Sequence, residues 1–573
     1  ILDNKTIVSL LKATATLLDL HGANPFQVRH YSHAALLVEK LDQEFSTLTQ
    51  EAIKDLANSH KGIQLVQAIN EAGTLPRWEE LMAETPQGVL DMLKLKGLGP
   101  KKVRALWKDL GIESIEALSE ACQSGKVAKL PGFGTKTQAL IQESLAWREK
   151  YQAQFHYITA LPYAQELQEA LEQAFPDVLI SLVGDLRRQQ EVVKAIVLLV
   201  GTDKTTTIQD WLNGCGVVEQ AIKLSGPFAW RGSFTDHSLP LHVLFCAPTE
   251  FYKQLVLQTG SAKHLALPMQ AGKSLGELIT QAPNCMSEVA AYHQLGLPYV
   301  PPELREGLAE LAWIQAGTPD LVTLADLQGV LHNHTTYSDG QHSLEVMAKH
   351  CKALGYHYIG ISDHSQSAAY AGGLKAESVQ QQHQLIDQLN QALSPFKVFK
   401  GIETDILTDG SLDYPWSILA SFDFTIASIH SGFNMDQQSA TERLLKAIRN
   451  PFTTILGHLT GRILLKREGY PIDHKAVIDA CAAHGVIIEI NSNPWRLDLD
   501  WRWVHYAIQQ NVWLSINPDA HHQNEFGNMA YGVYMGRKAG LTKQHTFNAL
   551  SSQAVAQHFQ RRKAAALATV SIG

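Results

Sequence analysis

Nine potential metal ligands stand in order along the C-terminal part of this chain: His332, His334, Asp339, His364, Glu403, His430, His458, Asp519 and His521. The segments ISDHS, IASIH and LSINPDAH each run from apolar, β-prone residues straight into one of them, so ligands fall at strand ends. In LHNHTTYSDG the two histidines flank a single residue. Positions i and i+2 of a strand project to the same face, so both imidazoles can reach one ion, and the same holds for Asp519 and His521. Together the nine read as a multinuclear metal site.

No cysteine joins the set. An all-nitrogen-and-oxygen shell suits two or three divalent ions of Mn, Zn or Fe, and points to catalysis, since a structural zinc needs only four ligands. His342, His350, His357, His383, His474, His484 and His522 lack a comparable setting and read as surface or packing residues.

These motifs resemble the PHP (polymerase and histidinol phosphatase) domain, a phosphoesterase family. LHNHTTYSDG, ISDHS, KGIETDI, ASIHSGF, GHLTGR, EINSNP and NPDAH stand in its order over residues 325–573. The resemblance implies a distorted parallel (β/α)7 barrel with ligands at the C-terminal strand ends. It implies one metal on His332, His334, Glu403 and Asp519, a second on Glu403, His430 and His458, and a third on Asp339, His364 and His521. The residue before Leu331, usually Asp in such sequences, is Val330 here, and it is not a ligand. Glu403 and Arg462, in GHLTGR, are the expected catalytic residues, Arg462 as a charge-assisted contact to phosphate.

At 573 residues, 45% hydrophobic and 18% charged, the chain is expected to form several domains, each with its own core. Six scattered cysteines, no signal peptide and no apolar stretch long enough for a bilayer lead to an expectation of a cytoplasmic protein without membrane contact, taken as a monomer. With 48 Lys+Arg against 56 Asp+Glu the net charge is -8, so any DNA contact must come from local patches.

Two such patches precede residue 150. KLKGLGPKKVRALWKDLGI and KLPGFGTKTQALIQESL each set a G-x-G turn between a short helix and an amphipathic one, followed by lysines, and look like helix-hairpin-helix motifs. Gly97, Gly99, Lys101 and Lys102 form the first candidate, and Gly132, Gly134 and Lys136 the second. Amides at the second helix's N-terminus can hold a DNA phosphate without reading sequence. The plainer alternative is a helix-turn-helix connection with glycine at the cap.

Upstream, NPFQVRHYSHAALLVEKL is helical by periodicity and resembles the opening of a family-X DNA polymerase, as found in bacteria joined to a PHP domain. The glycine hairpin expected near Leu56 is missing from LANSHKGIQLVQAI, and no lyase lysine is assigned. The resemblance divides the chain into an N-terminal helical domain (1–80), hairpin fingers (81–150), a palm (151–250), a thumb (251–320) and the barrel. In the palm the family holds magnesium with three aspartates. Counting from VGDLRR and from Thr259 puts Ala195, Val197 and His242 at those positions, and Asp185 in place of the usual serine would repel a triphosphate. Arg187, Gly260 and Ser261 still match nucleotide-contact positions, but a structural role is expected of them.

These readings together predict a metal-dependent DNA phosphodiesterase, a 3′-5′ exonuclease in repair, held on DNA by an inactive polymerase scaffold. The alternatives are a small-molecule phosphatase, a non-catalytic DNA-binding scaffold and an active repair polymerase.

Overall fold

In KVFKGIETD the apolar side chains fall on both faces, Val398 and Ile402 on one and Phe399 on the other, the pattern of a parallel strand covered on both sides. In the computed structural model, which describes residues 2–41, 43–95, 97–151 and 154–572, this segment is the strand Lys397–Asp405, beside the central strand of a seven-stranded parallel sheet. Gly329–Val330, Tyr358–Ile361, Phe424–Ser428, Ile455–Leu456, Ile487–Asn491 and Leu514–Asn517 complete it, each strand pairing with the next in sequence. Parallel neighbours require a crossover. Helices Leu344–Ala353, Ala376–Leu393, Gln437–Arg449, His474–His484 and Trp501–Gln509 supply five of them. A bridge between Asn333 and Ala520 joins the ends of the first and last strands, so the seven form a nearly closed barrel, as the resemblance implied.

Strand alternation decides what fills the barrel and what crowns it. Phe399 packs inward with Phe424, Ile426, Ile455, Ile487 and Phe559, the last from the C-terminal helix Ser552–Ile572, whereas Val398 and Ile402 belong to the core shared with the outer helices. The inward face then continues through Gly401 to Glu403 and Asp405. A Cβ on Gly401 would stand 2.3 Å from the Phe424 ring and 2.6 Å from the Ile361 carbonyl oxygen, so the bare glycine is what lets the aromatic plug sit directly beneath the ligands.

The chain divides into two compact units, Ile1–Gln152 and Ala153–Gly573. The first is helical around two apolar clusters, one on Ile7, Val38, Val66 and Ile69 and one on Leu98, Val103, Leu106 and Phe133. The second holds the barrel and, ahead of it, a five-stranded mixed sheet in the spatial order Leu179–Val183, Ile196–Gly201, Pro240–Cys246, Ala229–Phe234, Val218–Gln220. After it come the short helices Phe251–Thr259, Leu275–Gln281 and Glu288–His293 around Val256, Ile279 and Tyr292.

Within this second unit, buried charges join sheet and helices to the barrel. Lys538, fully buried, donates to Glu306 Oε1 (2.6 Å) and the Arg188 carbonyl (2.7 Å), and Arg188 Nε donates to the same carboxylate oxygen (3.0 Å). Arg537 pairs with Glu303 (2.6 Å), and Glu191 accepts from Trp501 Nε1 (3.2 Å) and Arg502 (3.3 Å). A buried charge stripped of its partner costs about 3–5 kcal/mol, so these contacts hold the parts in one register.

The aromatic plug yields a stability prediction. Phe424 is 1% exposed, and Phe424→Ala should destabilise the protein by about 3–5 kcal/mol, the cost of an unrelaxed aromatic-sized cavity. Denaturant unfolding of the variant with an unchanged midpoint would contradict this account of the barrel interior.

Candidate metal centre

Glu403, fully buried, is where the strand ends converge. Its Oε2 lies 3.3 Å from His332 Nε2, 3.5 Å from His334 Nε2 and 3.1 Å from His364 Nδ1. Its Oε1 lies 3.2 Å from His430 Nε2 and 2.9 Å from His458 Nε2. Asp519 Oδ1 approaches His334 Nε2 at 3.1 Å and His332 Nε2 at 3.5 Å. Asp339 and His521, each about one third exposed, meet at 3.3 Å on the solvent side. All nine residues singled out in the sequence therefore gather at one mouth of the barrel. Of the remaining histidines, His342 packs on His522 (4.3 Å between ring centroids), His350 on Phe526 and His474 on Trp503.

A layer of carboxylates and amides behind the nine fixes their orientation, and the sequence reading missed it. Glu489, fully buried, accepts from His332 Nδ1 (2.6 Å), Asn517 Nδ2 (3.1 Å) and the His458 backbone N–H (2.8 Å). Asp405 accepts from His430 Nδ1 (2.7 Å), and Asn491 Nδ2 donates to Asp519 Oδ2 (3.1 Å). Asp363 gathers Thr335, Ser338 and Gln382, fixing the loop between His334 and Asp339. Holding one imidazole nitrogen aims the other at the centre, the arrangement metal-ligating histidines require. The available signal was a lone Glu or Asn in the otherwise apolar strand IIEIN.

Arg462 corrects an expectation. Its Nη1 donates to Asp500 Oδ2 (2.7 Å), its Nε to the Arg496 carbonyl (3.0 Å) and its Nη2 to the Leu497 carbonyl, so the guanidinium is spent on shaping the 496–500 loop. The cation at the centre is Arg496, whose Nε lies 3.7 Å from Asp519 Oδ2 and whose side chain is 22% exposed.

In the mixed sheet, Val197 and His242 are direct partners on adjacent parallel strands, and Ala195 immediately precedes the first of them. His242 also faces Arg231 across the next pair, and burial together with that guanidinium holds its imidazole below its usual basicity. Arg187 makes a two-point contact with Glu288 (2.9 and 2.5 Å) and donates to Thr259 Oγ1 (2.8 Å), while Ser261 caps the helix Ala262–Leu265. Asp185 pairs with Arg188 at 2.6 Å.

In the first unit the two glycine turns have the backbone the motif demands. Gly97, Gly132 and Gly134 have φ of +86°, +82° and +69°, and an added Cβ on any of them, or on Gly99, would meet nothing within 4 Å. Leu98 and Phe133, buried, anchor the turns while Lys101 and Lys136 stand exposed. Lys102 differs from its two companions: its Nζ lies 3.4 Å from the Gly97 carbonyl and 6.0 Å from the Phe133 ring centroid, bracing one hairpin against the other.

Burial opposes charge throughout the centre, and mutual attraction reverses it at several groups. Against burial, Glu403 and Asp405 push His430 up to about 10, and Asp339 and Asp519 push His521 up to about 9. Burial holds His364 down to about 4. Again against burial, His430 and His332 hold the Glu403 carboxyl well below the usual range. His332 Nε2, His334 Nδ1, His364 Nδ1 and Glu403 Oε2 are buried without a hydrogen-bond partner among the described residues. Three overlapping sets have ligand atoms within 4.8 Å of one another: His334, Asp339, His364 and His521; His332, His334 and Asp519; His364, Glu403 and His430. His334 and His364 are each shared between sets, where the resemblance implied Glu403 as the shared ligand. Unpaired buried nitrogen and carboxylate donors at such spacing fit divalent cations. Because His430 and His521 carry protons at pH 7 that a cation must displace, metal uptake by chelator-treated protein should release protons and tighten as pH rises. Calorimetric titration in two buffers of different ionisation enthalpy measures this, and buffer-independent heats would refute it.

The chain is similar to known proteins along most of its length. The family model described as PHP domain matches residues 331–493, and the one described as SAM-like helix-hairpin-helix tandem matches 89–146. A protein of Bacillus subtilis (strain 168) named DNA polymerase/3′-5′ exonuclease PolX is 34% identical over 568 residues, covering 97% of this chain and 99% of its own. A probable phosphatase of Caldicellulosiruptor saccharolyticus is 32% identical over 34% of this chain and 80% of its own, and one of Thermoanaerobacter sp. (strain X514) is 26% identical over 38% and 88%. The solved ternary complex of Leishmania infantum polymerase beta covers 38% of this chain at 16% identity, with a TM-score of 0.23 that is too low to speak for a shared fold. With near-complete coverage in both directions by the Bacillus protein, a hairpin tandem ahead and a PHP barrel behind, the chain belongs to the bacterial PolX family.

Proposed function

We propose that this protein is a metal-dependent phosphodiesterase that removes nucleotides from DNA 3′ ends in repair, and that its palm no longer polymerises. The observation that carries the reading is the convergence of five imidazoles and Asp519 around Glu403 at an open barrel mouth, with Arg496 beside it. Divalent ions bound there would polarise the phosphoryl oxygens and lower the pKa of water. His332, His334, Glu403 and Asp519 would hold one, Glu403, His430 and His458 a second, and Asp339, His364 and His521 a third.

The chain's own residues do the rest. Glu489 and Asp405 hold the Nδ1 protons of His332 and His430, keeping each Nε2 turned to the centre. Arg496 offers a guanidinium to a phosphate oxygen at the rim. The aromatic plug beneath keeps water from entering behind the ligands.

Loss of polymerisation is inferred from Ala195, Val197 and His242, none a carboxylate, with Arg231 adding like charge where magnesium would bind. Arg187 spends three of its five N–H donors on Glu288 and Thr259, and its charge is already neutralised by a part-buried carboxylate. The two hairpins supply a DNA backbone grip, for which a small-molecule phosphatase would have no use. The exonuclease named among the relatives accords with this reading.

One preparation tests both halves. Digestion of end-labelled DNA with Mn²⁺ should fall on Glu403→Ala by at least the 10- to 100-fold that removal of an outer partner costs, and no primer should be extended with dNTPs in Mg²⁺ or Mn²⁺. Undiminished digestion by the variant would sink the nuclease, and extension that co-purifies with the protein would sink the inactive palm. For the grip, Lys101→Ala with Lys136→Ala should lower DNA affinity and reduce the salt slope by about two, with Lys102 left in place as a brace. Affinity equal to the parent across a salt titration would make the hairpins connectors only.

A further inference from the structure

The loop that follows His364 reads SQSAAYAGG, and Tyr370 is the single aromatic among small residues. Its ring centroid lies 6.1 Å from that of His364 and 6.5 Å from that of His430, yet the residue is 69% exposed. An exposed tyrosine by itself is ordinary surface. This one rides on an immobilised backbone. Ala368 and Ala371 on either side are buried, the Ala371 amide donates to the Ala368 carbonyl (2.9 Å), and the Gly373 amide donates to the same oxygen (3.1 Å). The Ser367 amide donates to Asp413 Oδ2 (2.7 Å) and its hydroxyl to Asp405 Oδ2 (3.1 Å). Asp405 is the carboxylate that also orients His430, so ring and ligand share one anchor.

We propose that Tyr370 is a stacking platform for the base of the terminal nucleotide whose phosphodiester lies at the metal centre. The inference rests on the nuclease reading and extends it to a subsite. A phosphate held between the ligands and Arg496 leaves the adjoining base one sugar away, the distance at which the Tyr370 ring stands from the ligand imidazoles. A π-face accepts any base, so the platform discriminates for a nucleobase without reading sequence. The charges its hydroxyl feels, Asp405, Glu403, Asp339 and Arg496, are those of the centre itself, which puts the ring at the rim of the same cleft. Small neighbours on both sides leave its face uncovered, and the pinned backbone means little ordering cost on binding.

Chelator-treated protein with an oligonucleotide carrying 2-aminopurine at its 3′ end tests the stacking independently of cleavage. Fluorescence should be quenched by the parent and by Tyr370→Phe, and not by Tyr370→Ala. With Mn²⁺ restored, the parent and Tyr370→Phe should cut a base-bearing terminus about 5- to 150-fold better in kcat/KM than an abasic one, the ratio that stacking one base is worth, and Tyr370→Ala should lose that preference. Equal quenching and an equal preference in Tyr370→Ala and the parent would overturn the platform while leaving the nuclease standing. Quenching that depends on Tyr370 in a protein that cuts no DNA would keep the platform and overturn the nuclease.

Discussion

One carboxylate organises the catalytic half of this molecule. Glu403 has no contact with water, and a buried anion costs several kcal/mol unless opposite charge surrounds it. Five imidazole nitrogens lie within 3.5 Å of it; His332 and His430, whose basicity neighbouring carboxylates raise against burial, supply that charge as protons, and divalent cations held by the same donors would supply it in their place. The rest of the barrel top follows from this requirement. Each imidazole must be held by its far nitrogen or by its strand, which is the work of Glu489 and Asp405. The space below must stay dry, which is the work of Phe399, Phe424 and Phe559.

The nine gathered candidates were legible because two simple rules pointed at several of them: apolar β-prone runs ending in His or Asp, and the i, i+2 spacing that puts two donors on one face. The runs marked strands, and the barrel they close into was implied only by the family resemblance. Glu489 and Asp405 were not legible, since a lone acid in a strand has the same local pattern whether it faces a ligand or a lysine. Long side chains defeated the reading for a different reason. Arg462 lies close to His458 in sequence and Arg496 lies close to none of the nine, and only the fold reveals that Asp500 captures the first and that the second stands at the rim. Lys102 makes the same point in the hairpins: its helix start was legible, its lean toward Phe133 was not.

The positions of Ala195, Val197 and His242 were legible by counting from VGDLRR and Thr259, and the structure pairs the last two on neighbouring strands of the mixed sheet. The fate of Arg187 was not. Its partner Glu288 lies 101 residues away, beyond any local pattern, and the same holds for Arg188 and Glu306.

The buried ionic joint between the mixed sheet, the helices after it and the barrel bears on where the chain can be divided. A fragment starting near residue 325 would keep Lys538 deep in its helix but lose Glu306 and the Arg188 carbonyl that neutralise and cap it. Arg537 and Trp501 would lose their acceptors at the same cut. The mixed sheet and the helices that follow it supply counter-charge to the barrel, so their presence is tied to its stability whatever else they do.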